Sequence, residues 1–414
     1  MWQHALDLML RRLLQKGSLL VTLPDGNSAH YGDGTGRKLH VQIHDNATVR
    51  HLVRNPELAL GEAYMNSTLT IENDDLKGLL ALIIANRDRS PPVWWQRFLP
   101  QIRIALRRYS QNNIARRSVR NVAHHYDLSD DLYELFLDAD RQYSCGYFHN
   151  ADDTLEQAQA NKKHYIARKL MIAPDMRVLD VGCGWGGMAL TLARDYGAKV
   201  VGITLSRQQH AYAVANAERQ GLSSRVSFRL CDYREVTGTF DRIVSIGMFE
   251  HVGLPHYNTY FSAIRDLLAP GGLALLHTIG WTGQTDATNP WIAKYIFPGG
   301  YIPTLSEVAK AVERSHLWAA DVEVLRLHYA YTLQHWTARF NENEQAIRAL
   351  YDDRFVRMWR FYLTACEQTF RYGRQAVFQI QLSRKIDAVP LVRDYLYAPP
   401  RTPLRASVIR SETQ

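Results

Sequence analysis

Several residues whose types could do chemistry sit at the ends of apolar runs. The stretch VLDVGCGWGG, residues 178 to 187, sets Gly182, Gly184 and Gly187 in a G-x-G-x-x-G pattern between a strand-like and a helix-like segment. Glycines there let backbone approach a ligand closely. The helix N-terminus that follows favours negative charge, which suits a pyrophosphate or a carboxylate. Glu250 follows an apolar run in GMFEHVG, and His277 closes the run LALLH. A glutamate on an apolar background is seldom left unpaired, so Glu250 reads either as a satisfied structural residue or as a site residue. His277 has the alternative of a lone core histidine. Cys145 stands among three aromatic rings in YSCGYF, with no second cysteine near enough to suggest a local pair. Nucleophile, metal ligand and packing are its three readings.

The residues beyond the glycine turn narrow the ligand. A dinucleotide fold places Asp or Glu about 20 residues on, against a ribose hydroxyl. Here that position reads GITLSRQQ, with no acid. Asp180 before the glycines and Asp232 after the next strand instead fit the arrangement of class I S-adenosylmethionine methyltransferases, which this domain resembles. A nucleic-acid amino-methylase of that class carries [DNS]-P-P-[YF], whereas the nearest approach, SPPV at 90 to 93, has Val93. A pyrimidine C5-methylase needs a cysteine in the loop after the fourth strand, which reads GMFEHVG here. No nucleic-acid partner is therefore expected.

The elements that must hold these residues follow from pattern. The 414 residues exceed one ordinary domain, and 46% hydrophobic with 22% charged residues is average globular usage. The four cysteines show no C-x-x-C spacing, so neither a disulfide framework nor structural zinc is expected; His124 and His125 have no partner at ligand spacing, and no metal is expected. Residues 1 to 95 open on an amphipathic helix and then show alternating runs, SLLVTLPDG and KLHVQIHD, with turn signals at Asp25-Gly26 and in YGDGTG that read as hairpins. From 118 to 400 strand-like and helix-like segments alternate, RVLDVG, GGMALTLARDYG, KVVGITLS and onward, which implies a parallel, doubly wound α/β sheet with a ligand crevice at the strand C-termini. Residues 401 to 414 form a polar tail.

Between these parts lies a basic linker, residues 96 to 117. From Pro91 to Tyr126 the chain carries Arg97, Arg103, Arg107, Arg108, Arg116, Arg117 and Arg120 without one Asp or Glu, interleaved with Trp94, Trp95 and Phe98. Indole favours bilayer interfaces and guanidinium favours phosphate, so the segment reads as a membrane-docking patch or as a solvated tether. The net charge of +8 favours an anionic partner. No apolar run reaches the roughly 18 residues needed to span a bilayer.

A family resemblance extends from about residue 60 to residue 390. GEAYM, HHYDLSDDLYELFLD, YSCGYF, VLDVGCGWGG, GITLS, FDRIVSIGMFEHVG, HTIG, PWIAKYIFPGGYIPT and YAYTLQHWTARF look like the successive signatures of bacterial cyclopropane-fatty-acyl-phospholipid synthases. The resemblance implies a class I methyltransferase Rossmann-like doubly wound sheet with a smaller N-terminal α/β domain that associates with lipid or membrane. It implies transfer of a methylene from S-adenosylmethionine to the cis double bond of unsaturated phospholipid acyl chains, with bound bicarbonate as the base; a methyl- or methylene-branched product is the alternative. The residues matching the family's bicarbonate site are Cys145, Glu250, His277, Ile279 through its backbone, and Tyr329. Those matching its cofactor site are Tyr143, Ser144, Gly182, Gly184, Thr204, Leu205, Gln209, Asp232 and Tyr233. By the same resemblance Cys145 is an anion-site residue rather than a nucleophile, the chain is a homodimer, and it is cytoplasmic, held peripherally at the inner membrane. The segments GYIPTLSEV and FVRMWRFYLTACEQTF are candidates for an acyl tunnel, with ordinary core as the alternative.

Overall fold

The computed structural model describes residues 1–87, 111, 113 and 130–397, whose strands form two sheets. In the first, β1 (Ser18–Thr22) pairs antiparallel with β2 (Ser28–Tyr31) around the turn holding Asp25 and Gly26. The second expected hairpin does not form. YGDGTG instead carries the chain past β1, so that β3 (Lys38–Ile43) lies parallel to β1 on its other edge, with Leu19 opposite Leu39 and Val21 opposite Val41. Parallel pairing in this register keeps both sets of apolar side chains on one face. At Gly32, with φ of +96°, a Cβ would strike the Gly17 carbonyl at 2.1 Å, so the crossing needs glycine. Strand β4 (Leu69–Ile71) closes the sheet antiparallel to β3. The expected N-terminal amphipathic helix is Trp2–Leu13, with Leu6 and Met9 buried.

The second sheet has seven strands. Strands β5 (Arg177–Val181), β6 (Lys199–Thr204), β7 (Val226–Leu230), β8 (Phe240–Ile246) and β9 (Leu268–Trp281) run parallel. Beyond β9 come β11 (Gln375–Ser383) and the edge strand β10 (Trp318–Leu325), with β11 antiparallel to both neighbours. Val178 belongs to one core and Leu179 to another, which places apolar layers on both faces of β5. The chain leaves β5 toward β6 on one side and returns to β8 on the other. This strand-order switch opens a crevice at the C-terminal ends of β5 and β8.

The two sheets' surroundings are fastened together through the helix Pro56–Met65. Its Glu62 accepts from Lys294 and from the Tyr295 hydroxyl at 2.7 and 2.8 Å, and the Tyr64 carbonyl accepts from Arg357 at 2.6 Å. Gly61 lies under the Trp291 ring, where an added Cβ would sit 2.4 Å from the indole nitrogen. Trp291 is buried and donates to the Met65 sulfur at 3.3 Å. Among the described residues no helix is long and apolar enough to cross a membrane. The linker's Trp94, Trp95 and Phe98 and its arginines from Arg97 to Arg120, His124, His125 and the tail from 401 to 414 lie outside the described residues.

Candidate active site

The glycine turn runs directly off β5. Gly182 and Gly184 take φ of +79° and +55°. A Cβ on Gly182 would stand 2.7 Å from the Met248 Cβ, whereas on Gly184 it would meet nothing within 4 Å. The turn thus closes against Met248 on one side and leaves backbone open on the other. Tyr143, Ser144, Gly182, Gly184, Thr204, Leu205, Gln209, Asp232 and Tyr233 all line one cleft of about 140 Å³ at the C-terminal ends of the parallel strands. Within it the Gln209 amide oxygen accepts from the Thr204 hydroxyl at 3.0 Å. Asp232 caps the short helix Tyr233–Glu235 and grips the Arg234 guanidinium through both oxygens at 2.7 Å.

A second cavity, of about 770 Å³, brings together Cys145, Glu250, His277, Ile279 and Tyr329. Glu250 is placed by the short helix Phe249–His251 after β8. One of its carboxylate oxygens accepts from the Ile279 N–H at 2.6 Å, and the other has no hydrogen-bond partner among the described residues. Burial pushes its carboxyl up to about 7, against the downward pull of the Ile279 bond. His277, on β9, meets the Gln379 amide nitrogen of β11 through Nδ1 at 3.1 Å, while Nε2 has no partner. Burial holds the imidazole neutral, well below its ordinary value. With an amide donor on Nδ1, the neutral ring carries its proton on Nε2. The Ile279 N–H is taken by Glu250, and its carbonyl accepts from the Thr278 hydroxyl at 3.1 Å. Tyr329 packs on Phe370 at 4.8 Å between ring centroids. The Cys145 thiol donates to the Gly146 carbonyl at 3.3 Å, and burial pushes it up, which disfavours a reactive thiolate.

Among the described residues four border both cavities: Tyr143, Ser144, Gly247 and His251. The cleft at the glycine turn therefore adjoins the larger, mainly apolar cavity along this seam. That cavity is walled by Tyr301 and Ile302, by one face of the helix Asp353–Tyr372 including Phe361, Ala365 and Phe370, and also by Leu6, Leu19, Val41, Leu79 and Ile83 of the first sheet and its helices. Geometry separates tunnel wall from core where pattern did not: Trp359 and Leu363 of the same helix are buried away from it.

Comparison with known proteins matches this architecture. Residues 113–380 match the family model of mycolic acid cyclopropane synthetase, and residues 6–90 match a family described only as a domain of unknown function. The chain belongs to the mycolic acid cyclopropane synthetase family. Relatives of this family include the cyclopropane-fatty-acyl-phospholipid synthase of Escherichia coli, 37% identical over 89% of this chain and 96% of that protein. The tuberculostearic acid methyltransferase UfaA1 of Mycobacterium tuberculosis is 32% identical over 91% and 90%. Among solved structures, mycolic acid cyclopropane synthase CmaA1 complexed with SAH and CTAB superposes with a TM-score of 0.61, 35% identity, over 64% of this chain and 97% of that one. The fold is that of a class I S-adenosylmethionine-dependent methyltransferase.

The cleft residues fit the cofactor of this family. Among the described residues Asp180 is buried with Oδ2 unpartnered, and Arg141, also buried and lining the cleft, is ion-paired with Asp130 and Glu134 while its Nη1 makes no hydrogen bond. The open carboxylate oxygen is complementary to the ammonium of a methionine moiety, and the guanidinium brings positive charge to the same cleft for its carboxylate. Burial pushes the Asp180 carboxyl up to about 7, with the Lys162 ammonium pulling the other way; a cationic ligand would favour its ionised form. Sequence reading missed Arg141, because an arginine followed by Gln142 carries no motif. It missed Gln379 because no run flagged β11 as part of the sheet. Among the described residues no cluster of three metal-ligating side chains occurs.

Proposed function

We propose that this protein transfers a methylene from S-adenosylmethionine to the cis double bond of unsaturated phospholipid acyl chains, closing a cyclopropane ring. The observation that carries the reading is the seam of Tyr143, Ser144, Gly247 and His251, which border both the glycine-turn cleft and an apolar cavity walled from two sheets. When bound, S-adenosylmethionine supplies an electrophilic sulfonium methyl, and bicarbonate supplies the base for the proton that ring closure releases. The chain's residues do the rest. The apolar wall excludes water and holds the acyl chain so that its alkene lies at the seam. Glu250, fixed by the Ile279 N–H, keeps one oxygen free to accept the O–H of an anion. His277, its Nδ1 engaged by Gln379, keeps an Nε2–H to donate to that anion. Cys145 and Tyr329 complete the wall. Whole-length similarity to the E. coli phospholipid synthase supports a phospholipid substrate; a homodimer that meets it at a membrane surface from the cytoplasm, with no nucleic-acid partner, is part of the proposal.

The 32% identity to a tuberculostearic acid methyltransferase favours one second reading, a branched product from the same carbocation. The test is to incubate the purified protein with S-adenosylmethionine and vesicles of unsaturated phosphatidylglycerol, then to examine the acyl chains by mass spectrometry and proton NMR. A chain heavier by one CH₂ with high-field ring protons is expected. Vinylic methylene protons in their place would establish the branched product, and unmodified lipid would overturn both readings.

A further inference from the structure

Ser144, at the seam between the two cavities, is held from beneath by the helix Leu155–Lys169. Two side chains one turn apart do this. Gln159 Nε2 donates to the Ser144 carbonyl at 2.9 Å and to the Gln142 carbonyl at 3.3 Å. Lys162 Nζ donates to Ser144 Oγ at 2.7 Å and to Gln142 Oε1 at 2.8 Å. Lys162 is fully buried, yet among the described residues it forms no ion pair. A buried ammonium held only by neutral oxygens is costly, and such groups recur where a site needs their charge.

The direction of the short bond has a consequence for Ser144. An ammonium has three donors and no acceptor, so Ser144 Oγ must accept from Lys162. The hydroxyl proton is then left to donate elsewhere, and Ser144 faces both cavities. We propose that Lys162 is a positioning residue that locks the Ser144 hydroxyl as a donor to a carboxylate-type oxygen bound at the seam. Two sources carry that chemistry, the carboxylate of the cofactor's methionine moiety and bicarbonate, so the inference rests on the proposed function. The ammonium's field supports it. Burial sets the direction at Cys145, Asp180 and His277, and Lys162 in each case acts as a positive charge near enough to be felt, with the carboxylates of Asp138 and Asp140 acting on the same ammonium.

The test measures binding by calorimetry for wild type, Lys162→Met, Ser144→Ala and the double variant. Against S-adenosylhomocysteine, each single variant should lose about tenfold in affinity and the double variant no more than either, because one bond is being removed twice. Against 5′-methylthioadenosine, which lacks the carboxylate, all four should bind alike. If bicarbonate is the partner, S-adenosylhomocysteine affinity holds, and the bicarbonate concentration for half-maximal turnover rises about tenfold in both single variants. Additive losses in the double variant, or no change in either arm, overturn the proposal. Ser144→Ala deletes only a hydroxyl and carries the test if Lys162→Met does not fold. Failure of the wild type to bind S-adenosylhomocysteine overturns the cofactor reading itself, and this inference with it.

Discussion

Glu250 is the residue whose environment makes the sharpest demands. Its carboxyl moves from an ordinary value near 4.5 to about 7 because burial disfavours charge more than the Ile279 N–H favours it. If the ionised form accepts the anion's O–H, turnover should rise as pH increases through about 7, and Glu250→Gln should lose most turnover, flatten that limb and leave S-adenosylhomocysteine affinity intact. Near-normal turnover in the variant would remove Glu250 from the site. Stability runs the opposite way. A carboxyl with a raised folded value stabilises fully below its unfolded value, and that contribution is lost as pH rises toward about 7. Glu250→Gln should therefore be more stable than wild type at pH 8, on the order of 3 kcal/mol by denaturant titration, with the difference vanishing near pH 4. Cys145 makes the contrasting case. Its buried thiol serves as wall rather than nucleophile, so Cys145→Ser should retain measurable turnover, and no lipid adduct should be trapped on it.

At the scale of elements, the site is made by strand ends. The turn after β5, the short helix after β8 and the last residues of β9 converge because parallel strands end on the same edge of the sheet. The antiparallel β11 contributes Gln379 opposite His277, which fixes the imidazole that β9 presents. The glycine turn itself is the least tolerant element. Gly182→Ala combines a φ of +79° with a Cβ placed 2.7 Å from Met248. It should cost about 1–3 kcal/mol of stability. It should also weaken S-adenosylhomocysteine binding, measured by calorimetry, more than it alters the apolar cavity's affinity for lipid.

At the scale of the whole molecule, the apolar cavity is not the property of either sheet alone. Leu19, Val41, Leu79 and Ile83 of the first 87 residues share it with Glu250 and His277. This gives the N-terminal region a share in the cavity wall. Ile83→Trp, which fills the cavity from that side, should lower kcat/KM for long-chain lipid several-fold while leaving S-adenosylhomocysteine affinity unchanged. The proposed membrane docking of the arginine-rich linker belongs to the same scale. Each arginine near an anionic surface contributes on the order of 1 kcal/mol, screened by salt. Replacing Arg103, Arg107 and Arg108 with Gln should weaken sedimentation with anionic vesicles far more than with neutral ones. Equal sedimentation across a salt series would leave the linker as a tether only.

What the sequence determined by itself is local or ordered along the chain. The turn Gly182-x-Gly184 between an apolar strand and a helix, and the absence of an acid in GITLSRQQ, are read from neighbours in the chain, and they point to a methyltransferase cleft before any contact is known. The ordered signatures from GEAYM to YAYTLQHWTARF carried the family likewise. Contacts between distant residues were decided only by tertiary structure. Nothing in KLHVQIHD tells that it crosses to lie parallel with SLLVT, because either register offers alternating apolar residues and only the shared face selects one. Nothing in QANKKHYIARK singles out Lys162 from Lys163, yet one is sealed beneath Ser144 and the other, also buried, pairs with the partly exposed Asp140. A helix pattern repeats every 3.6 residues and says which face is apolar, not which neighbour that face will meet. The cavity shared by two sheets is the largest instance: Leu79 and Ile83 look like ordinary core in sequence, and only their meeting with β9 and the helix Asp353–Tyr372 makes them the wall of a site.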